Sequence, residues 1–371
     1  MAYKIRLAQP DLSGNEEKYV VDAIRSSWIS SSGEYVNRFE KEFAELCRVK
    51  HAISVNNGTA ALHTAMIALG VGPGDEVLVP DLTYIATANV VRYCGAEPVF
   101  VDVHRDTWCI DPDLMEQAIT RRTRGIIAVH LYGHPADMDA INDIAKRHGL
   151  WVVEDAAESY LATYGDKPTG GLAKIGCFSF FGNKFLTCGQ GGAVTTNDDE
   201  LAYRMRMIKT DGRAPGATYK FTMMGNNYGL TNIACAILCA QLERKCELFM
   251  DRLDIYDQYR DGLRDTPGIE LQTVSGNGVR LSPWLFCVLV NPKKYGMARN
   301  GLRTLLAECE IETRPFFTPM HTMPMYRELV NREYPVSNEL SAMGMNLPTY
   351  NGLKPAEIEE ICAVIRNGNI K

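Results

Sequence analysis

Several patterns that mark other classes of protein are missing from this chain of 371 residues. No apolar run approaches the roughly 18–20 residues that a membrane-spanning helix needs. The N-terminus also lacks the apolar stretch of a signal peptide, so we expect a cytoplasmic protein with no membrane partner. The net charge is only −6, which gives no indication of binding to nucleic acid.

Metal-binding patterns are also scarce. The 11 cysteines form no Cys-x-x-Cys pair and lie mostly in apolar segments. This is typical of reduced core residues rather than of a disulfide framework or a zinc site. His130 and His134 are four positions apart, but Gly133 and Pro135 argue against a helix there. We therefore expect no metal ion.

The first part of the chain shows a regular alternation of short apolar runs and helical patterns. Unbroken apolar runs suit strands that are covered on both faces, and their alternation with helices is typical of a mostly parallel sheet wrapped on both sides. The predicted helices include 62–69, 111–120 and 137–148. The predicted strands are 51–55, 76–79, 98–103, 125–130, 151–154, 176–180 and 192–196.

The pattern changes after about residue 230. A long helical stretch over 231–264 is followed by a strand at 284–290 and by helices at 298–308 and 355–366. This order predicts a smaller α+β domain behind the large one. We place the large domain, with an N-terminal arm, at residues 1–245 and the small domain at 246–371.

The first candidate for chemistry is Lys184, within the apolar and aromatic segment 178–187. Poor solvation disfavours the ammonium form and lowers the pKa. A neutral amine near pH 7 is what a lysine needs to form a Schiff base. The ordinary alternative is a lysine whose stem packs on apolar residues while its head reaches water, and Lys184 taken alone favours that alternative.

A second candidate group stands upstream, where the apolar run 151–153 leads into Glu154, Asp155 and Glu158. Ligands of open α/β sheets bind beyond the carboxyl ends of the strands. A buried acid there needs a cation, so Asp155 is suited to a protonated pyridine nitrogen. Capping of the next helix is the alternative. For Glu154 helix capping is as well supported as a functional role, whereas for Asp155 and Glu158 a functional role is favoured.

A phosphate site is predicted between the first strand and its helix. Gly58 and Thr59 follow the strand at the expected helix N-terminus, whose free amides favour an anion. The segment lacks the Walker and dinucleotide patterns, so a single phosphate is expected, although a plain helix cap is a strong alternative. Ser179 could donate to the same phosphate, and Tyr84 could stack on a ring or pack in the core. The three signals together describe a pyridoxal phosphate (PLP) site.

The chain also resembles a known family, the sugar-nucleotide aminotransferases of the DegT/StrS type. This resemblance implies the fold type I aminotransferase architecture, with a mostly parallel seven-stranded sheet and a smaller C-terminal α+β domain. The matching stretches extend almost from end to end. They are 28–31, 39–40, 57–62, 72–77, 130–133, 154–158, 178–180 with Lys184, 227–228 and 346–349.

The resemblance assigns roles to the residues that match. Lys184 would form the Schiff base and Asp155 would hold the pyridine nitrogen, with Glu158 also at the cofactor. Gly58, Thr59 and Ser179 would hold the phosphate, which Asn227 would reach from the neighbouring subunit of a homodimer. His321 and Arg314 become candidates for the sugar-nucleotide side.

The substrate remains open between several possibilities. Residues 178–184 and 319–324, together with Glu158 where many relatives have Gln, resemble the members that use L-glutamate to aminate C4 of GDP-4-keto-6-deoxy-D-mannose, giving GDP-perosamine. A dTDP- or UDP-linked keto sugar, aminated at C3 or C4, is the alternative. A pyridoxamine-dependent sugar dehydratase is disfavoured, because those enzymes have His in place of the lysine. A non-catalytic protein of the same fold is disfavoured by Lys184 and Asp155 together.

Three positions depart from the family pattern. Gly229 stands where Arg is usual, Gln190 where Glu is usual, and Ala162 where Gly is usual. The loss of a positive charge at Gly229 puts contacts to the donor or the nucleotide in doubt.

Overall fold

The computed structural model describes residues 3–214, 216–274, 278–330 and 332–368. Its α-helices are α1 (Glu16–Arg25), α2 (Glu34–Leu46), α3 (Gly58–Ala68), α4 (Ala86–Tyr93), α5 (Pro112–Gln117), α6 (Met138–His148), α7 (Asp199–Ile208), α8 (Asn232–Glu243), α9 (Lys245–Leu263), α10 (Pro292–Tyr295), α11 (Arg299–Glu308), α12 (Pro335–Met343) and α13 (Pro355–Gly368).

The strands fall into three sheets. They are β1 (His51–Val55), β2 (Glu76–Pro80), β3 (Glu97–Val101), β4 (Thr123–Val129), β5 (Trp151–Asp155), β6 (Thr163–Tyr164), β7 (Lys167–Pro168), β8 (Ile175–Ser179), β9 (Gly192–Thr196), β10 (Ile269–Leu271), β11 (Phe286–Val290), β12 (Arg314–Pro315) and β13 (Gly344–Leu347).

The large sheet has seven strands in the order β1-β9-β8-β5-β4-β2-β3. The strands β3, β2, β4, β5 and β8 run parallel to one another. Only β9 is antiparallel to both strands beside it. The seven predicted strands and the mostly parallel sheet are thus confirmed, with boundaries that differ by one or two residues.

Both faces of this sheet are covered, which explains why its strands are apolar throughout. Along β5, Val152 joins a cluster with Ile141 of α6, whereas the next residue, Val153, joins a cluster with Met66 of α3. Successive side chains of a strand point to opposite faces. The sheet is therefore the middle layer between helices, as the alternation of strands and helices predicts.

The second sheet has four antiparallel strands in the order β10-β11-β13-β12. Its apolar face packs on the helices α9, α11 and α13, through residues such as Tyr259, Leu302 and Ile361. The start of the chain joins this layer, because Ile5 is buried there and forms a bridge with Ile311. The division of the chain at residues 245 and 246 stays a prediction.

One helix prediction differs from the structure. The stretch 231–264 is not continuous, because Arg244 separates α8 from α9 with φ −98° and ψ 5°. The Arg244 guanidinium pairs with Asp11 at 3.0 Å and with Glu247 at 2.6 Å. The helical periodicity continues on both sides of Arg244, so the sequence pattern does not reveal this break.

Among the described residues, no helix is both long and apolar enough to cross a membrane. All eleven cysteines are free. Cys235 and Cys239 are buried in α8, whereas Cys246 is exposed, so the three do not share one surface.

Candidate active site

The register of the large sheet brings the predicted site residues to one edge. Asp155 is the last residue of β5 and Ser179 is the last residue of β8, the next strand. Ser179 lies opposite Gly192 of β9, and Gly192 lies opposite Val55, the last residue of β1. Since α3 begins three residues after Val55, its N-terminus lies at the same edge.

Lys184 lies in the loop that follows β8. Its backbone N–H donates to the Phe181 carbonyl at 2.8 Å in a tight turn, and its side chain is 12% exposed. Burial lowers the pKa of the amine, while the charges of Glu158 and Asp155 oppose this effect. The predicted desolvation of Lys184 therefore agrees with its position.

Two side chains contact the Lys184 amine. Nζ lies 3.5 Å from Glu158 Oε1 and 3.8 Å from the centre of the Trp284 ring. A cation over an aromatic face is attracted by the ring quadrupole. The amine is thus held between a carboxylate and an indole, so the alternative of a head group reaching into water is wrong.

Asp155 is a buried carboxylate at the end of β5. Burial raises its pKa, whereas hydrogen bonds from Thr87 and Ala157 and the charges of Lys184 and His130 lower it. Thr87 Oγ1 donates to Oδ2 at 2.8 Å, and the Ala157 N–H donates to Oδ1 at 3.3 Å. A buried acid in this state is stabilised by a nearby cation, such as a protonated ring nitrogen.

Glu158 is buried beside the lysine. Burial raises its pKa to about 7, with the Lys184 charge acting against the rise. The Tyr132 N–H donates to Oε2 at 2.8 Å. Tyr132 has a φ of 51°, a left-handed conformation that is uncommon for a residue with a side chain. The backbone is therefore strained at Tyr132, the residue whose N–H is directed toward Glu158.

The N-terminus of α3 is the predicted phosphate cradle. Asn57 caps it by accepting from the Ala60 N–H at 2.8 Å, and Gly58 and Thr59 form its first turn. A Cβ placed on Gly58 would lie only 2.7 Å from Ser179 Cβ, so the two backbones approach closely. The N-terminus of α3, the buried acid and the buried amine together fit PLP.

Two further predicted residues lie on exposed surface. Tyr84 is 57% exposed, so the alternative that it packs in the core is wrong. Its ring contacts Phe317 at 5.8 Å between centroids. Asn227 is exposed, in the loop after α7, where it forms a bridge with Thr210. Ring stacking by Tyr84 and phosphate binding by Asn227 both stay predictions.

The two residues predicted for the sugar-nucleotide side differ in their surroundings. His321 Nδ1 lies 2.7 Å from Oδ2 of Asp81, the residue that follows the end of β2. The His321 ring stacks on Tyr334. Arg314 in β12 is 57% exposed and its guanidinium lies 3.6 Å from Glu312. Among the described residues, the ion pair of Arg314 is with Glu312 and does not connect Arg314 to Lys184. The role of Arg314 on the sugar-nucleotide side therefore stays a prediction.

The contacts of Glu154 indicate a structural role. It is fully buried, and its carboxylate accepts from the backbone N–H groups of Gly170, Leu172 and Ala173 at 2.6–2.9 Å. His130 lies 3.1 Å away on the same carboxylate. Glu154 therefore fixes the loop before β8 and points away from the Lys184 amine.

Sequence reasoning missed three residues that touch the predicted ones. Thr87 holds Asp155, Tyr132 holds Glu158, and Trp284 covers the Lys184 amine. Tyr132 lies in the matching stretch 130–133 and Thr87 lies three residues after Tyr84, so their neighbours gave a signal. Trp284 has no such signal, because it lies 100 positions from Lys184 in the chain.

The three departures from the family pattern have clear environments. A Cβ on Gly229 would lie 2.7 Å from Ser31 Cβ, so a larger residue would have to displace Ser31. Gln190 is exposed, and its carbonyl accepts from the Cys188 thiol. Ala162 is buried beside Ser159. None of these environments restores a positive charge at position 229.

Comparison with known proteins identifies the chain. The family model of the DegT/DnrJ/EryC1/StrS aminotransferases matches residues 10–366. The chain belongs to this aminotransferase family. Since these enzymes depend on PLP, the chain is a PLP-dependent aminotransferase, and the predicted family and cofactor are confirmed.

Individual relatives cover nearly the whole chain. GDP-perosamine synthase of Caulobacter vibrioides is 45% identical over 98% of this chain and 97% of its own length. GDP-perosamine synthase of Escherichia coli O157:H7 is 42% identical over 97% of each chain. The PLP-form structure of Spr1654 from Streptococcus pneumoniae has a TM-score of 0.93, with 28% identity and 99% of both chains covered. The predicted fold type I architecture is confirmed.

Proposed function

We propose that this aminotransferase moves the amino group of L-glutamate to C4 of GDP-4-keto-6-deoxy-D-mannose and so forms GDP-perosamine. The observation that carries the proposal is the full-length similarity, 45% and 42%, to two enzymes that are named for this product. The buried Lys184, Asp155 and Glu158 supply the matching chemistry at the sheet edge.

Four regions of the chain would hold the cofactor. The N-terminus of α3, with Gly58, Thr59 and Ser179, would hold the phosphate, and the buried Asp155 would hold the ring nitrogen. Tyr84 offers an exposed aromatic face. When bound, PLP supplies an aldehyde carbon that an amine attacks and a protonated ring that accepts electrons.

In this proposal Lys184 both attaches to the cofactor and carries protons. Burial lowers the pKa of the amine and so favours its neutral form, and a neutral amine is a nucleophile and a base. After the amino donor takes its place, Nζ removes the proton from the α carbon of the donor. Glu158, 3.5 Å away, is positioned to exchange a proton with the same nitrogen.

We further propose that the enzyme works as a homodimer with shared sites. Asn227 lies in an exposed loop that also carries Tyr219 and Met224, which are 86% and 89% exposed. Large apolar side chains in such positions mark a protein interface. A second copy of the chain would cover them and place Asn227 at the partner's phosphate. The cytoplasmic location and the division into residues 1–245 and 246–371 remain proposals as well.

A substrate panel tests the proposed reaction. The purified enzyme with PLP and glutamate is incubated with GDP-, dTDP- and UDP-linked 4-keto-6-deoxy sugars, and the products are identified by mass spectrometry and NMR. We expect an aminated sugar and stoichiometric 2-oxoglutarate with the GDP sugar. Preference for a dTDP or UDP sugar, or amination at C3, would contradict the proposed substrate or position. The reaction type, an amino-group transfer, would still stand.

The variant Lys184→Ala tests the reaction type itself. It should bind PLP without the visible absorption band of the native enzyme and should lose turnover. Loss of a hydroxyl without release of 2-oxoglutarate would indicate a dehydratase, and turnover by the variant would exclude the proposed role of the lysine.

A further inference from the structure

Trp284 makes two separate contacts with the segment that carries Lys184. The face of its ring lies 3.8 Å from Lys184 Nζ. Its indole Nε1–H donates to the carbonyl of Asn183 at 2.7 Å. One side chain therefore holds both the amine of the lysine and the peptide group immediately before it.

The indole is itself held in place by buried contacts. The Trp284 carbonyl accepts from Arg252 Nη1 at 2.8 Å, and Arg252 is a buried side chain of α9. Two residues earlier, the Ser282 N–H donates to the Gly133 carbonyl at 2.9 Å. The ring also stacks on Tyr132, at an angle of 17°. These contacts fix the ring before any ligand is bound.

The titratable groups around Lys184 indicate how the Trp284 ring affects the protonation of the amine. Glu158 and Asp155 favour the ammonium form by their charges, and burial favours the neutral amine. His130 acts on Asp155, and Arg252 lies over the neighbouring Phe185 ring. A π face attracts a cation without carrying a charge, so Trp284 can favour the ammonium form in addition to the two carboxylates.

We propose that Trp284 is a positioning residue for the reactive lysine: its ring face holds the Lys184 amine beside Glu158, and its N–H holds the preceding turn. The proposal rests on the proposed function of Lys184. It assigns a role to the four-stranded sheet, because Trp284 lies two residues before the strand β11 of that sheet.

The ring contact is tested by competitive chemical labelling of Lys184 in the full chain without cofactor. The rate at which the Lys184 peptide is labelled is followed by mass spectrometry from pH 5 to 10. In Trp284→Leu the midpoint should move to lower pH, so that the neutral fraction at pH 7 rises about threefold to tenfold. Trp284→Phe keeps a ring and should keep the midpoint close to native.

The N–H contact is tested in Trp284→Phe by amide hydrogen exchange of the peptide that covers 181–187. Loss of the donor to Asn183 should speed this exchange. Trp151→Phe is the matched control, because Trp151 starts β5 at the opposite end from Asp155, and it should change neither measurement.

The outcomes separate this proposal from the proposed function. An unchanged midpoint in Trp284→Leu together with unchanged exchange in Trp284→Phe overturns the role of Trp284. A change in the labelling plateau alone means that the indole merely shields the amine, which also overturns it. If Trp284→Leu does not fold in a thermal melt, the exchange result decides. Turnover by Lys184→Ala would instead refute the proposed function, whatever the labelling shows.

Discussion

At the scale of single residues, three ionisable side chains give the site its character. Burial lowers the pKa of Lys184 and raises those of Asp155 and Glu158. Each group is shifted toward its neutral form, which is typical of active sites rather than of surface ion pairs. The three charges also influence one another, so that a change in one alters the protonation of the others.

Glu158 should make stability depend on pH. Its pKa is raised from 4.5 to about 7, so the folded chain binds more protons than the unfolded chain between these values. The free energy of unfolding therefore falls as pH rises through this range, by on the order of 3 kcal/mol at most. We expect Glu158→Gln, without cofactor, to gain stability relative to native protein between pH 5 and pH 8.

Urea unfolding at the two pH values measures this gain. The Gln side chain retains an acceptor for the Tyr132 N–H, so the comparison isolates the charge. A stability difference that is the same at pH 5 and pH 8 would contradict the assigned environment of Glu158.

Thr87 should support cofactor binding through Asp155. Thr87→Val removes the hydrogen bond to Oδ2, which lowers the Asp155 pKa in the native protein, so the pKa should rise further in the variant. A neutral acid pairs less well with a ring cation, and loss of such a bond costs about 1 kcal/mol. We expect PLP affinity, followed by absorbance titration, to fall roughly fivefold to tenfold.

Thr83→Val is the control for this change. Thr83 lies 3.4 Å from Thr87 and is equally buried. Equal losses of affinity in the two variants would mean that general packing, rather than the bond to Asp155, is responsible.

At the scale of elements, the site depends on where strands end and helices begin. The end of β8 and the start of α3 meet at Gly58 and Ser179, where the absence of a side chain permits the close approach. Strands β1, β9 and β8 set this distance through their register. A phosphate at this point would meet the free N–H groups of a helix fixed against the sheet.

Gly58→Ala should therefore damage the cradle. The new methyl group would meet Ser179 Cβ at 2.7 Å, and overpacking of this kind costs about 1–3 kcal/mol. We expect lower stability in urea and weaker PLP binding. Gly72→Ala is the control, because a Cβ there meets nothing within 4 Å. If both variants bind PLP like native protein, the cradle is misplaced.

At the scale of the whole molecule, the homodimer that we propose would complete each site with residues from two copies of the chain. Lys184→Ala lacks the lysine, and Asn227→Asp places a negative charge at the proposed phosphate. If Asn227 acts in the partner's site, a mixed dimer of the two variants contains one intact site. Equal mixing and refolding should then restore roughly one quarter of native activity.

The same experiment tests the alternative arrangement. If Asn227 serves the site of its own subunit, no mixed dimer contains an intact site and activity stays absent. Size-exclusion chromatography with light scattering establishes the oligomeric state of each variant beforehand.

The sequence predicts local features well and distant contacts poorly. The seven strands follow from apolar runs, and the edge that carries Asp155 and Ser179 follows from the rule for open sheets. The break at Arg244 and the exposure of Tyr84 depend on packing that no local pattern records. Trp284 was missed for the same reason, because a contact across 100 positions requires the second sheet to be in place.

The bridge between Ile5 and Ile311 has a consequence for how the chain is made. The segment around Ile5 leaves the ribosome before its partner exists, because Ile311 is synthesised about 300 positions later. The Leu7 carbonyl, which accepts from the Thr349 N–H, has to wait longer still. The layer that contains both segments therefore closes only after the residues near Thr349 have been synthesised, and until then the segment around Ile5 is available to proteases and chaperones.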